Sequence, residues 1–524
     1  MDPALKFSML LTLLGLVPVL VNASSSDFGH CERVVKKWAL SSLDPQIKGD
    51  TRKLQDLLFF LHVPRTGGRT YFHCFLKKLY SKSLECPRSY DKLRFDPSKP
   101  KCRLLVTHDD YSMMSKLPSQ RTSVVTILRN PVDRVFSTYE FSVEVGARFL
   151  VHPNLTSATQ MAGRLRAKMK GVSTLDIWPW KYLVPWMRED LFARRDARRQ
   201  KGSAEIYSKD PYEMEDMVMP LHEYISSPIA HDIIHNGATF QVAGLTNNSY
   251  IEEAHEVRHC IQKYKILGEH VLQVAKKRLD DMLYVGLTKE HKESATMFAN
   301  VVGAQVISQQ TASNMSRESV ADNKSVIRKV DLDDCRALSQ VHLLMLQNRA
   351  LRCQILSSTV MTVRFTAENS CLCMTNSNFD QNAGQLPSTE NDEAMKQNMT
   401  VEKLMEAYEV CISSLRKEQA RRRTASLKRI SPANFSKEGR LHVPEVVLQQ
   451  IRSLNNLDLE LYKYAEDIFA KQHKRTMEEL FATERINNSY GAVWKVLVLA
   501  TALILLFSLI LFVNARRTTS KIKI

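Results

Sequence analysis

The 524-residue chain reads as an α/β fold, with a central parallel sheet flanked by helices, a helical or irregular insertion and a C-terminal transmembrane helix. Three observations predict this. Short, wholly apolar runs recur at Leu57–Leu61, Leu104–Val106 and Val124–Leu128, as expected of strands buried on both faces of a parallel sheet. Two of these runs end in a turn that opens an amphipathic helix, the strand–turn–helix unit from which such sheets are built. Far downstream, Val496–Val513 carries no charge and is long enough to cross a bilayer.

Leu57–Tyr80 is the first unit. Pro64 stops the strand, Arg65-Thr66-Gly67-Gly68-Arg69-Thr70 forms a polar glycine turn, and Tyr71–Tyr80 has helical periodicity. This arrangement gathers backbone N–H groups and the positive end of a helix around one point. Arg65, Arg69, Thr66 and Thr70 face the same point, and the resulting cradle suits a phosphate. It is not the nucleotide loop GxxxxGK[ST], because no glycine starts it and no lysine precedes Thr70. The second unit is Ser123–Val145. Here Arg129 follows the strand, a proline turn comes next, and Ser137 lies on the second turn of the helix that begins near Val132. Arg129 and Ser137 offer partners to a second phosphate. Two cradles at the ends of parallel strands describe a site for a doubly phosphorylated nucleotide.

The pair PRTGGRT (Pro64–Thr70) and LRNPVDRVFSTY (Leu128–Tyr139) resembles two motifs of sulfotransferases that use 3′-phosphoadenosine 5′-phosphosulfate (PAPS), the 5′-phosphosulfate loop and the 3′-phosphate motif. It is most similar to the heparan sulfate 6-O-sulfotransferases, which carry a KTGGTT loop and an LRDPVSR segment. The likeness continues in Thr107–Met114, Asn236–Leu245, Tyr284–Phe298 and Asn455–Phe469, spanning about 57–310 and 440–472. It implies a P-loop-like sulfotransferase fold with PAPS as co-substrate and no metal. Arg65 with Thr66, Gly67, Gly68, Arg69 and Thr70 would hold the 5′ end, and Arg129 with Ser137 the 3′-phosphate. Arg65 stands where the animal family has lysine, which keeps the charge but makes it planar and bidentate. Arg69 either assists or faces solvent.

His108 emerges just past the short run Leu104–Val106, where open α/β sheets place their ligands. Its position also matches the catalytic-base histidine of the 6-O family's HADW-like motif. With Arg65, it is the expected catalytic residue. Asp109 or Asp110 is positioned to orient it, and His62 is the alternative base.

Met1–Ala23 has Lys6, a short apolar core and a small-residue end, the pattern of a cleaved signal peptide. A transmembrane helix at 493–513 is followed by Arg516, Arg517, Lys521 and Lys523, which puts the tail 514–524 in the cytosol and everything upstream in the lumen. Between these ends the expected parts are a lumenal segment at 24–49, a catalytic domain at 50–310, an insertion at 311–440, a returning helix at 441–475 and a stalk at 476–492. Within the insertion, Val401–Arg423 reads as a helix ending in a basic cluster. Sequons at Asn154, Asn247, Asn314, Asn323, Asn398, Asn434 and Asn487 fit an exported glycoprotein. Ten cysteines are few for this length. Cys86 and Cys102 flank one loop and form a plausible pair; Cys31, Cys260, Cys335, Cys353 and Cys411 are left unassigned.

The C-terminal anchor separates this chain from the animal 6-O enzymes, whose anchors are N-terminal. Its combination with a 6-O-type domain resembles the plant tyrosylprotein sulfotransferase family. That resemblance implies a Golgi enzyme that sulfates acidic-flanked tyrosines of secreted peptide precursors. The formal charge of +17 agrees with anionic substrates, and no nucleic-acid module is present. A glycan 6-O-sulfotransferase is the alternative, and a catalytically dead receptor or adaptor is the non-enzymatic one. A lumenal kinase lacks both the GKT loop and a Mg²⁺ carboxylate motif. The sequence leaves the oligomeric state undetermined.

Overall fold

Four segments pair into one parallel sheet: β1 (Leu57–Leu61), β2 (Leu104–Thr107), β3 (Thr122–Leu128) and β4 (Tyr284–Leu287), in the order β2-β1-β3-β4. Every strand residue is buried, as unbroken apolar runs require when both faces are covered. The computed structural model describes residues 27–43, 50–87, 102–168, 174–201, 210–312, 399–430 and 435–521. The expected signal peptide, the sequons at Asn314, Asn323, Asn398 and Asn434, and Cys335 and Cys353 lie outside them.

Registers Leu61↔Thr107, Leu61↔Thr126 and Leu128↔Leu287 bring the C-terminal ends of the strands to one edge. From β1 the chain crosses to β2 on one side, then returns to β3 on the other. The strand order therefore reverses at β1/β3, and this is the crevice where open α/β sheets bind ligands.

Helix α1 (27–43) is tied by Cys31 to Cys260, and Cys86–Cys102 closes the loop before β2. Helix α2 (68–79) follows β1 and passes through one π-helical stretch, Phe72–Leu76. Helix α3 (Pro131–Ala147) follows β3. Asn130 caps it, accepting from Val132 N at 3.1 Å, and Pro131 takes the first turn, where its missing N–H costs nothing. Helix α4 (Trp180–Lys201) packs across α3. Short helix α5 (Gly237–Val242) and helices α6 (Ala254–Lys263) and α7 (Gly268–Asp280) lead to β4.

Contacts divide the chain into one unit of 1–305 with 399–524 and another of 306–398. The segment 399–440, expected within the insertion, therefore belongs with the sheet. Helix α8 (Val401–Leu427) buries Leu404, Tyr408 and Ile412, a stripe at four-residue spacing that faces inward. Tyr408 stacks on Phe75 of α2 at 4.1 Å, and Cys411 is bonded to Cys74.

The last helix, α9 (Asn456–Lys521), runs for 66 residues, about 100 Å at 1.5 Å per residue. Its start is held by side chains far away in sequence. Asn236 Oδ1 accepts from Leu457 N at 2.9 Å and Asp458 N at 3.2 Å, so it caps a helix to which it does not belong. Asp458 accepts from Arg134 Nη2, Thr239 N and Thr239 Oγ1, each at 2.7 Å. Leu457, Leu461, Ala465 and Phe469 then bury one face of the helix. Beyond the core it continues through Val496–Val513, the candidate membrane span.

The Arg134–Asp458 pair has both side chains 1% exposed, so removing one partner strands a buried charge. Asp458→Ala is expected to cost about 3–5 kcal/mol. Thermal melting of the full chain in detergent checks this, with a clearly lower midpoint as the expected result.

Candidate active site

The turn after β1 is held in an unusual backbone path. Arg65 has φ 66 and Gly67 φ 90, both left-handed. Glycine adopts that region freely, but arginine does so at a cost of about 1–3 kcal/mol, and such strain concentrates at functional sites. Local bonds hold the path in place. Thr66 Oγ1 donates to Val63 O at 2.9 Å, Thr288 Oγ1 donates to Thr66 O at 2.6 Å, and Thr70 N donates to Gly67 O at 2.9 Å. Gly68 meets a different constraint. A Cβ there would sit 2.3 Å from His62 Cδ2, so the chain passes close to the imidazole only because the side chain is missing. Gly67 and Arg69 are exposed at the mouth of the turn, while Thr66 and Gly68 are buried and Thr70 half-buried.

The strained path brings the two expected cradles into contact. Arg65 Nε donates to Ser137 Oγ at 3.0 Å, and Arg129 Nη1 donates to Arg65 O at 3.3 Å. Arg65 also lies over the Phe141 ring, 4.3 Å from its centroid and one turn beyond Ser137 on α3. Burial first, and then the charge of Arg129, pull the Arg65 guanidinium down to about 10. Burial also lowers Arg129. Among the described residues neither guanidinium forms an ion pair with a carboxylate. The nearby carboxylates are engaged elsewhere, Glu140 by Arg423 and Arg440 and Glu144 by Arg148. Two half-buried cations without an ion-paired carboxylate give the crevice a positive character.

His108 stands beside them, its ring stacked on His62 at 4.1 Å and meeting Trp180 edge-on at 6.4 Å. Its Nδ1 donates to His62 O at 2.8 Å. A carbonyl can only accept, so in the neutral ring Nδ1 carries the proton and Nε2 the lone pair. Burial is the main cause that drops His108 to about 4, partly opposed by this bond. A backbone oxygen therefore holds Nδ1 of the ring. Of the neighbouring carboxylates, Asp109 accepts from Thr107 Oγ1 at 2.7 Å and from Asn248, and Asp110 accepts from Thr246 Oγ1 at 2.7 Å and from Ser112.

Several residues at the site carry no local sequence signal. Phe141 and Trp180 read as ordinary apolar helix positions. Arg423 and Arg440, which reach Glu140 on α3, come from the segment expected to be an insertion. The expected basic cluster contains Arg423 but not Arg440. Among the described residues no group of side chains is arranged to hold a metal ion.

Comparison with known proteins decides the family. A family model described as the sulfotransferase domain matches residues 51–190, which contain both cradles and His108. A protein-tyrosine sulfotransferase of Arabidopsis thaliana is 54% identical over 541 aligned residues, covering 100% of each chain. The chain belongs to the protein-tyrosine sulfotransferase family. Arg65 and Arg129 lie at the β1/β3 crevice, where open α/β sheets place their ligands.

Gly68→Ala would drive a methyl into a His62 ring confined between Phe60 at 5.7 Å and His108 at 4.1 Å. Displacing the His108 stack is expected to lower sulfate transfer on the order of 10²-fold with the fold retained. Turnover measured beside a melting curve checks both halves of that statement.

Proposed function

We propose that this chain transfers sulfate from PAPS to tyrosine hydroxyls of secreted peptide precursors and proteins. The observation that carries this reading is the 3.0 Å bond from Arg65 to Ser137, which brings the residues of the two cradles together at one edge of the sheet. Arg65 and the backbone N–H groups of Thr66–Thr70 hold the 5′ end, with Arg69 at the mouth. Arg129 and Ser137 clamp the 3′-phosphate. The phenolic oxygen attacks sulfur as the bond from sulfur to the 5′-phosphate oxygen breaks, and 3′-phosphoadenosine 5′-phosphate departs. Negative charge grows on that departing oxygen, and Arg65 is poised to stabilise it. A phenol with a pKa near ~10 gives up its proton slowly unaided, and His108 Nε2 accepts it. No metal is needed for this chemistry.

The acceptor is a tyrosine with acidic neighbours. Arg69 lies within electrostatic reach of Arg148 and Arg422, which gives the exposed mouth of the turn a positive character suited to such flanks. The address is the Golgi membrane, with a cleaved signal peptide at 1–23, a lumenal catalytic domain and a single type I span at 493–513. The uncharged Val496–Val513 and the basic residues after it support that topology.

The deciding assay offers the full chain labelled PAPS together with an Asp-Tyr peptide and heparan-like chains. Label on the peptide is expected. Label on the glycan alone would favour the 6-O reading, and failure to bind PAPS at all would favour a dead receptor. Arg65→Ala is expected to cut turnover by about 10²–10³. Because His108 titrates at about 4, its ring stays neutral through mildly acidic pH. Turnover is therefore expected to fall only as pH drops through about 4, and a pH–kcat profile checks it.

A further inference from the structure

We propose that Gln241 is a positioning residue for His108: its side-chain amide clamps the ends of β1 and β2, and so fixes which ring nitrogen of His108 carries the basic lone pair. The inference rests on the reading of His108 as the base that takes the tyrosine proton.

Gln241 lies on α5 and is 1% exposed. Its Nε2 donates to His108 O at 2.7 Å, Asp109 O at 3.2 Å and His62 O at 3.3 Å. An amide has two N–H bonds for these three carbonyls, so one of them is shared. The three oxygens belong to the first residues beyond β1 and β2. The pairing between these strands closes with His62 N donating to Thr107 O at 3.0 Å. Past that point the two chains diverge into the turn of Arg65 and the turn of Asp110. Three carbonyl dipoles then point toward one place, where they repel one another unless a donor sits between them.

One of the three, His62 O, also receives the His108 Nδ1 proton. Gln241 therefore fixes the acceptor that fixes the tautomer. It acts on the imidazole through the backbone, as outer partners of catalytic histidines commonly do through side chains. The amide is itself braced, since Ala238 N and Thr239 N on α5 donate to Asp458 at 3.2 and 2.7 Å. The start of α9 thus supports the placement of His108 through a single short helix.

The test uses the full chain in detergent and Gln241→Met, which keeps the length of the side chain and removes the donor. Two acceptor peptides are compared, one with tyrosine and one with a fluorinated tyrosine whose phenol is already ionised at the assay pH. With tyrosine, kcat is expected to fall about tenfold while the KM for PAPS stays within twofold, because a misplaced base slows proton removal without touching the donor cradle. With the ionised phenol the loss is expected to shrink to about twofold or less, since no proton needs removing. An equal loss with both peptides would mean that Gln241 only props up the fold, and no loss with tyrosine would mean that it does not position His108; either result overturns the proposal. If Gln241→Met fails to fold, Gln241→Asn, a shorter amide, is expected to give a smaller kcat loss with the same dependence on acceptor. His108→Ala run in parallel separates this proposal from the reading beneath it. Should the ionised phenol fail to rescue His108→Ala, the base assignment fails and this proposal fails with it.

Discussion

Two half-buried guanidinium groups held near each other without an ion-paired carboxylate are the constraint on which the site depends. Arg65 and Arg129 repel each other, and partial burial weakens the screening by water. Such an arrangement persists only if the surrounding fold holds it, and here the fold does so at the β1/β3 switch point. The strained φ of Arg65 turns its guanidinium toward Ser137, while its own carbonyl receives Arg129. In the proposed function, the anionic donor that enters between them relieves the repulsion.

Distant segments pack behind that arrangement. Tyr408 stacks on Phe75 and Cys411 is bonded to Cys74, so α8 packs behind the helix that follows the strained turn. Asp458 gathers Arg134 from α3 and the backbone of α5 at the start of α9. The helix that carries the candidate membrane span therefore begins inside the core, where Asn236 accepts from the amides of Leu457 and Asp458. A continuous helix from there to Lys521 joins the core directly to the candidate membrane span.

Much of this is legible in the amino-acid sequence itself. β1, β2 and β3 announce themselves as unbroken apolar runs, and the cradle residues stand in two compact motifs. β4 does not, because Gly286 interrupts its short apolar run. The left-handed Arg65 leaves no trace, since nothing in the sequence marks an arginine as taking a conformation that glycine prefers. The orienting partner of His108 escapes for another reason. The partner of its Nδ1 is a backbone oxygen, while the neighbouring carboxylates that invite the role accept from Thr107, Ser112, Thr246 and Asn248. Gln241 and Asp458 act across separations of 133 and 219 residues, beyond the reach of any local pattern. The basic cluster that ends α8 looks like a solvated helix terminus, and for Arg421, paired with Glu418 at the surface, it is one. Arg423, two positions on, turns inward to Glu140.

The central claim is that Arg129 and the 3′-phosphate of the donor meet in the cradle shared with Arg65. A thermodynamic cycle tests it most directly, with Kd measured by calorimetry for wild type and Arg129→Ala, each with 3′-phosphoadenosine 5′-phosphate and with the same nucleotide lacking its 3′-phosphate. The account predicts that each change alone weakens binding and that the second adds little once the first is made, a coupling on the order of 1–3 kcal/mol. Strictly additive losses would place the 3′-phosphate away from Arg129 and contradict the shared site.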